Sequence, residues 1–229
     1  GEFLSKVLGK NIGEEDTVQQ TDVNISEFIG GQSNDILAVL YLVRNDLNAA
    51  VQNRASVTWK SIVTNTPKTV KSILPELMNL IMEALATSGD KREVARYTLA
   101  DVVVKLSSRV LPDILPYLSN ALKSSNPCDR EGAALGLCNL MSAVGRSSLE
   151  DFLESIIPLI RFSLSDENET VQEAGAKAFD VLYEHVGSVA VHQIIPLLIE
   201  NLENEDEVIS HMALNGLKQL LTVRSSVVL

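Results

Sequence analysis

The chain has few aromatic residues and only two cysteines, and each shortage excludes something. Aromatic side chains make up 4% of its 229 residues, beside 12 glycines and 7 prolines. Strand-rich folds use many aromatic residues and frequent turns, so this composition favours helices. Cys128 and Cys138 would lie about 15 Å apart on a helix, too far for a disulfide. We therefore expect two free thiols and a reducing, cytoplasmic setting.

Long apolar runs and a positive net charge are also lacking. No apolar run approaches the ~18 residues of a membrane-spanning helix, so we expect no membrane partner. The chain opens on Gly1 rather than Met and shows no leader pattern, which suggests an excised, non-secreted fragment. The formal net charge of −11 argues against direct nucleic-acid binding.

One short pattern occurs four times, as ILPEL, ILPYL, IIPLI and IIPLL. Its prolines are Pro75, Pro116, Pro158 and Pro196, at spacings of 41, 42 and 38 residues. An apolar side chain follows each proline six residues later. Because proline is tolerated in the first turn of a helix, we predict that each proline marks a helix start.

A second pattern of one small and two large residues recurs in phase with the first. The small residues are Ala55, Ala95, Ala133, Gly175 and Ala213, at spacings of 40, 38, 42 and 38. Large apolar residues follow at positions four and seven, with Trp59 and Phe179 among them. This spacing predicts one buried helical face, where the small residue allows a neighbouring helix to approach closely.

A repeat near 40 residues with two helices is typical of HEAT repeats. We predict an all-α fold, an α-solenoid of about five HEAT repeats over residues 34–229. The predicted repeats span residues 34–66, 70–109, 111–147, 152–188 and 190–223. Residues 1–33 are expected to hold the end of a preceding repeat (1–12) and a polar loop (13–24). The segment FIGGQSND (28–35) predicts a turn before a helix that begins at Asn34 or Asp35.

Acidic residues and asparagine precede the second helices in the segments LSDENETV and LENEDEVI. They are expected to serve as N-caps and as partners of the helix dipole.

A row of polar residues recurs once per repeat. Arg130 lies three residues before Ala133, and the matching residues of the other repeats are Gln52, Arg92, Gln172 and Ser210. The plain interpretation of this polar row is that each side chain bonds turn carbonyls or a neighbouring acid.

Charge is distributed unevenly along the chain. Nine basic and five acidic residues between positions 54 and 110 give a net charge of +4. Positions 161–210 carry two basic and eleven acidic residues, which gives a net charge of −9. An acidic partner would be attracted to the first half. The acidic run ENEDE (203–207) alone is typical of an ordinary solvated surface.

No pattern in the sequence indicates catalysis, a cofactor or a metal. His185, His192 and His211 lack the spacing of a metal-binding set and are expected at surfaces or helix ends. No nucleophile elbow or phosphate loop occurs, and Trp59 and Phe179 are expected to be packing residues.

Three stretches carry a more specific resemblance. They are AVLYLVRNDLNAAVQNRASVTWKSIVTNTPKTVKSILPELM, DREGAALGLCNLM and ALNGLKQLLTVRSSVVL. With them the chain resembles, over most of residues 34–229, the large ribosome-associated HEAT-repeat coactivators of the general amino-acid control pathway. Residues 1–33 contribute little to this resemblance.

The resemblance implies a non-catalytic docking role. In that family this region binds the RWD domain of the kinase that senses uncharged tRNA and phosphorylates translation initiation factor two. RWD-bearing inhibitors compete for the same surface. The family's key basic residue lies in an Asp-Arg-x-Gly stretch, here Asp129, Arg130 and Gly132.

The repeat frame adds Arg92, Lys123, Asn126 and Glu131 as expected neighbours of Arg130 on the docking edge. Phe162, four residues after Pro158, is a further candidate for this docking and is expected to act by supporting the repeat. Arginine suits such a contact because its planar fork holds a carboxylate through two bonds. Two alternatives remain, a structural spacer within a long rod and a segment that contacts the ribosome directly.

Overall fold

The computed structural model of the protein describes residues 33–228, so the predictions for residues 1–32 lie outside it. Within this range every regular element is a helix, which confirms the all-α fold class. The helices are α1 Ser33–Val43, α2 Ala49–Ile62, α3 Thr66–Ser72, α4 Leu74–Leu85, α5 Asp90–Leu106, a 3-10 turn Ser108–Val110, α6 Leu111–Ala121, α7 Pro127–Ala143, α8 Arg146–Glu150, α9 Leu153–Leu164, α10 Glu169–Val186, α11 Ser188–Leu202 and α12 Glu207–Val228. The short helices α3 and α8 were not predicted, and the repeat bounds stay predictions.

The chain divides into two compact units, one ending at Ile81 and one beginning at Met82. In the first unit α1 packs on α2. The rings of Tyr41 and Trp59 meet edge to face with centroids 5.0 Å apart. Trp59 is only 1% exposed, and its Nε1–H donates to Thr66 Oγ1 at 2.9 Å. Trp59 is therefore a packing residue, as predicted.

The second unit is built by stacking the second helices of successive repeats, α5 on α7, α7 on α10 and α10 on α12. The predicted small-large-large face is buried in all four. Its residues are Ala95, Leu99, Val102, Ala133, Leu137, Leu140, Gly175, Phe179, Leu182, Ala213, Leu217 and Leu220. Each helix pair thus places its apolar face between its neighbours, which is the arrangement of an α-solenoid.

Polar side chains cap four of the five second helices, as predicted for α10 and α12, whereas α5 begins after Gly89 without a side-chain cap. The Oδ1 atoms of Asn48, Asn126 and Asn168 accept the backbone N–H two residues further on, at 2.9, 3.1 and 3.0 Å. Asp206 does the same for α12, at 2.9 Å from the N–H of Val208. Each cap satisfies a backbone donor that has no partner within its helix, which sets the point where the helix begins.

The prediction that each repeated proline marks a helix start is wrong for three of the four. Pro75 is the second residue of α4, but Pro116, Pro158 and Pro196 lie inside α6, α9 and α11. These helices begin five to eight residues earlier. All four prolines are exposed. At Pro116, Pro158 and Pro196 the carbonyl left without a donor therefore lies on the solvent side, where it is open to water.

Gly132 is required by a close helix approach in the second unit. A Cβ at this position would lie 2.5 Å from the carbonyl oxygen of Leu85, a backbone atom that cannot move aside. We expect Gly132→Ala to lower the free energy of unfolding by about 1–3 kcal/mol through overpacking. Urea unfolding measures this loss.

Gly136 on the same helix is the matched control. A Cβ there would lie 2.9 Å from the Cδ1 atom at the flexible end of Leu85. The helix-propensity gain of Gly→Ala is the same for both glycines, about 0.5–1 kcal/mol. Equal unfolding midpoints for the two variants would contradict the close approach at Gly132.

Candidate functional site at the turn edge

The turns between the paired helices of the second unit lie at residues 86–89, 122–126, 165–168 and 203–206, and we call this the turn edge. The polar row predicted from the sequence lies here. Four of its members donate to a carbonyl oxygen at the end of the preceding helix or in the turn. The pairs are Arg92 to Leu85 (3.0 Å) and Thr87, Arg130 to Ser124 (3.0 Å) and Ser125 (3.3 Å), Gln172 to Asp166 (2.5 Å), and Ser210 to Leu202 (2.8 Å). The plain interpretation of the row is confirmed for these four, whereas Gln52 is exposed.

Arg130 also reaches across to the next repeat. Its Nε and Nη2 donate to the two carboxylate oxygens of Asp166, at 2.8 and 3.0 Å. Both residues are buried, Arg130 at 6% exposure and Asp166 at 5%. Asp166 Oδ1 further accepts the backbone N–H of Asn168 at 2.9 Å. The two guanidinium donors of Arg130 that would hold a partner's carboxylate are thus occupied by Asp166 in this structure.

A second acid completes the environment of Arg130. Glu167 Oε1 lies 3.2 Å from Arg130 Nη2, and the Glu167 side chain is 76% exposed. The hydrogen bond to Asp166, with the charges of Asp166 and Glu167, raises the pKa of Arg130 above its usual value, although burial opposes the shift. Arg130 is therefore a permanent cation neutralised from within the chain.

A second ion pair between successive repeats lies one repeat earlier along the chain. Arg92 Nη1 donates to Glu131 Oε1 at 2.6 Å, and the two side chains are 15% and 24% exposed. Further along, Gln172 Nε2 lies 3.3 Å from the carbonyl oxygen of Met212. Arg92, Arg130 and Gln172 therefore each bond both their own turn and the following repeat, which links the turn edge from one repeat to the next.

The remaining predicted residues surround the start of α7. Asp129 accepts bonds from Ser124 Oγ at 2.7 Å and from Asn126 Nδ2 at 3.1 Å. Asn126 is exposed and caps the helix. Lys123 is exposed and forms no ion pair with a described side chain. Of the three basic residues among the six predicted, Lys123 is the one that no described acid pairs.

A groove of about 320 Å³ opens beside this cluster. Its lining combines charged and apolar side chains from three repeats: Leu122, Lys123, Ser124, Arg130, Phe162, Ser165, Asp166, Glu167, Val208 and Met212. Phe162 is 47% exposed and Val208 63% exposed. Phe162, expected to act in docking by supporting its repeat, thus also presents about half of its surface at this groove.

Asp166 and Glu167 were missed as site residues because they belong to an acidic segment that was interpreted as a helix cap. A signal was present nevertheless. Glu131 follows Arg92 by 39 residues, and Asp166 and Glu167 follow Arg130 by 36 and 37. An acid about one repeat after a basic residue of the row indicates a bond between repeats.

Metal-ligating and nucleophilic side chains are scattered along residues 33–223. No group of three metal-ligating side chains comes together in this part of the chain. His185, His192 and His211 each contact a residue four positions away on their own helix, at 2.8, 2.6 and 3.2 Å, in line with the expected helix-end roles. Both cysteines are free, and burial raises the pKa of the half-buried Cys138 thiol, which disfavours its nucleophilic form. None of the described helices is long and apolar enough to cross a bilayer.

The stacked helix pairs, with a groove where the turns of three repeats meet, define a HEAT-like helical-repeat protein. Sequence comparison identifies the relatives. The chain is 38% identical over 234 residues to the mouse stalled ribosome sensor GCN1 and 35% identical over 237 residues to the eIF-2-alpha kinase activator GCN1 of Saccharomyces cerevisiae. It is 41% identical over 196 residues to the eIF-2-alpha kinase activator GCN1 of Dictyostelium discoideum. The chain belongs to the GCN1 family.

These matches cover 99%, 100% and 85% of the chain, in the same order. The chain spans only 9%, 9% and 7% of the length of the three relatives. No protein-family model matches it. The relatives' names describe activators or sensors rather than enzymes.

Proposed function

We propose that this chain is a docking segment of a cytoplasmic, ribosome-associated activator of the kinase that phosphorylates translation initiation factor two. Its direct partner is the RWD domain of that kinase, for which RWD-bearing inhibitors compete. The names of the GCN1 relatives support the coarser part, since they describe a kinase activator and a ribosome sensor. The resemblance around Asp129, Arg130 and Gly132 supports the RWD domain as the partner.

The observation that carries the proposal is the composition of the turn-edge groove. Interfaces concentrate their binding energy in a few apolar or arginine anchors surrounded by polar residues. Phe162 and Val208 are large apolar side chains that remain exposed here, and Lys123 offers a free charge beside them. Asp129, Asn126 and the Arg92–Glu131 pair shape the adjoining turns.

Titration of the purified chain with an RWD domain tests the proposal. Phe162→Ala is expected to weaken binding about tenfold, because the loss of an apolar anchor removes buried area at the interface. Lys123→Ala is expected to weaken it about threefold, as for a charge at an interface rim. Lys123 is exposed and Phe162 is half-exposed, so a urea unfolding curve of each variant checks that its fold is retained.

Two exposed side chains outside the groove provide matched controls. Tyr97 is 55% exposed on α5, and Lys177 is exposed on α10. Tyr97→Ala and Lys177→Ala are expected to bind as the original chain does. If the original chain binds no RWD domain, the spacer alternative replaces this proposal. If all four variants bind equally well, the groove is not the docking surface.

A further inference from the structure

The two acids that contact Arg130 differ sharply in exposure. Asp166 is 5% exposed and holds Nε and Nη2 through two bonds. Glu167 reaches only Nη2, at the longer distance of 3.2 Å, from a side chain that is 76% exposed. Exposed ion pairs contribute little because water and ions compete for both charges, whereas a buried pair with two bonds is held firmly. Glu167 is therefore the replaceable partner of Arg130.

Glu167 lines the groove, so a group that replaced it on Arg130 would lie inside the groove. Lys123, Arg130, Asp166 and Glu167 all line it, and their charges sum to zero (two positive, two negative). Without the Glu167 carboxylate the same lining would carry a net charge of +1. One donor of Arg130 and the free ammonium of Lys123 would then be available to a negatively charged group.

We propose that Glu167 is a built-in competitor for an acidic side chain of the docking partner. The partner's carboxylate replaces Glu167 on Nη2 of Arg130 and lies beside Lys123, while Asp166 keeps its two bonds. No bond other than this ion pair changes, and the Glu167 side chain moves into solvent. This inference rests on the proposed docking function and explains how a 6% exposed arginine contacts a partner.

Two substitutions with opposite expected effects test the exchange. Glu167→Gln removes the competing charge and is expected to tighten RWD binding about threefold, the scale of one exposed ion pair. Asp166→Asn weakens the bond that orients Arg130 and is expected to loosen binding. Opposite signs would not arise if both acids merely supported the fold.

Glu173→Gln is the matched control, since it makes the same change of charge at an exposed site on α10 outside the groove lining. It is expected to leave RWD binding unchanged. The inference is overturned if Glu167→Gln binds no tighter than the original chain. It is equally overturned if Glu173→Gln tightens binding as much, because the effect is then one of net charge.

A second probe separates this inference from the proposed function. Acetate supplies a single free carboxylate, and the side-chain NMR signal of Arg130 reports its binding. We expect this signal to shift at about threefold lower ligand concentration in Glu167→Gln than in the original chain. Absence of RWD binding would refute the docking partner alone, whereas identical shifts in both chains would refute the exchange.

Discussion

Asp166→Ala is expected to lower the free energy of unfolding by about 3–5 kcal/mol. Removing one partner of a buried ion pair leaves the other charge buried and uncompensated. The Arg130–Asp166 pair meets this condition, because both side chains are almost fully enclosed and joined by two hydrogen bonds. Urea unfolding followed by circular dichroism measures the change.

Glu150→Ala provides the control for this prediction. It breaks an ion pair with Arg146 in which the side chains are 70% and 51% exposed. Exposed pairs of this type contribute between 0 and about 1 kcal/mol, so the unfolding midpoint should scarcely move. A similar small effect for Asp166→Ala would show that the exposed Glu167 and the turn carbonyls suffice as partners of Arg130 and that the Arg130–Asp166 link adds little stability.

Phe179→Ala is expected to cost a similar amount, about 3–5 kcal/mol. Phe179 is completely buried on α10 and faces Tyr183 with ring centroids 6.4 Å apart. Truncating a buried aromatic residue loses its transfer free energy and leaves a cavity that its neighbours only partly fill. The same unfolding experiment measures this loss.

Tyr97→Ala serves as the comparison, since it removes an aromatic ring that is already 55% exposed. Its effect should stay near the ±0.5 kcal/mol typical of surface substitutions. A destabilisation by Phe179→Ala of less than about 1 kcal/mol would contradict the packing of this helix face.

The sequence was sufficient to predict the helices' buried faces. The small residue at Ala133 and the large residues at Leu137 and Leu140 are all fully buried. Such a pattern is readable because burial in a helix depends on a local period of 3.6 residues. The helix starts were harder to predict, since Pro116 and Pro158 occur where the missing N–H faces solvent rather than in a first turn.

The turn edge could be predicted only in part. The polar row was evident from the repeat, and so was its bonding to turn carbonyls, which Arg130 and Gln172 confirm. The burial of Arg130 was not evident. Whether an arginine at a helix entrance points to solvent or to the next repeat depends on where Asp166 lies in space, and the acid is 36 residues away.

The all-α class, the near-40-residue repeat and the residues that pack between helices could all be predicted before any coordinates were known. These follow from local periodicity and from capping, which act within one or two turns of a helix. The ion pairs of Arg130 with the buried Asp166 and the exposed Glu167 became visible in three dimensions, as did the groove that Lys123 and Phe162 line. The physical reason is that an ion pair and a groove depend on the stacking of successive repeats, which brings distant residues within hydrogen-bond distance.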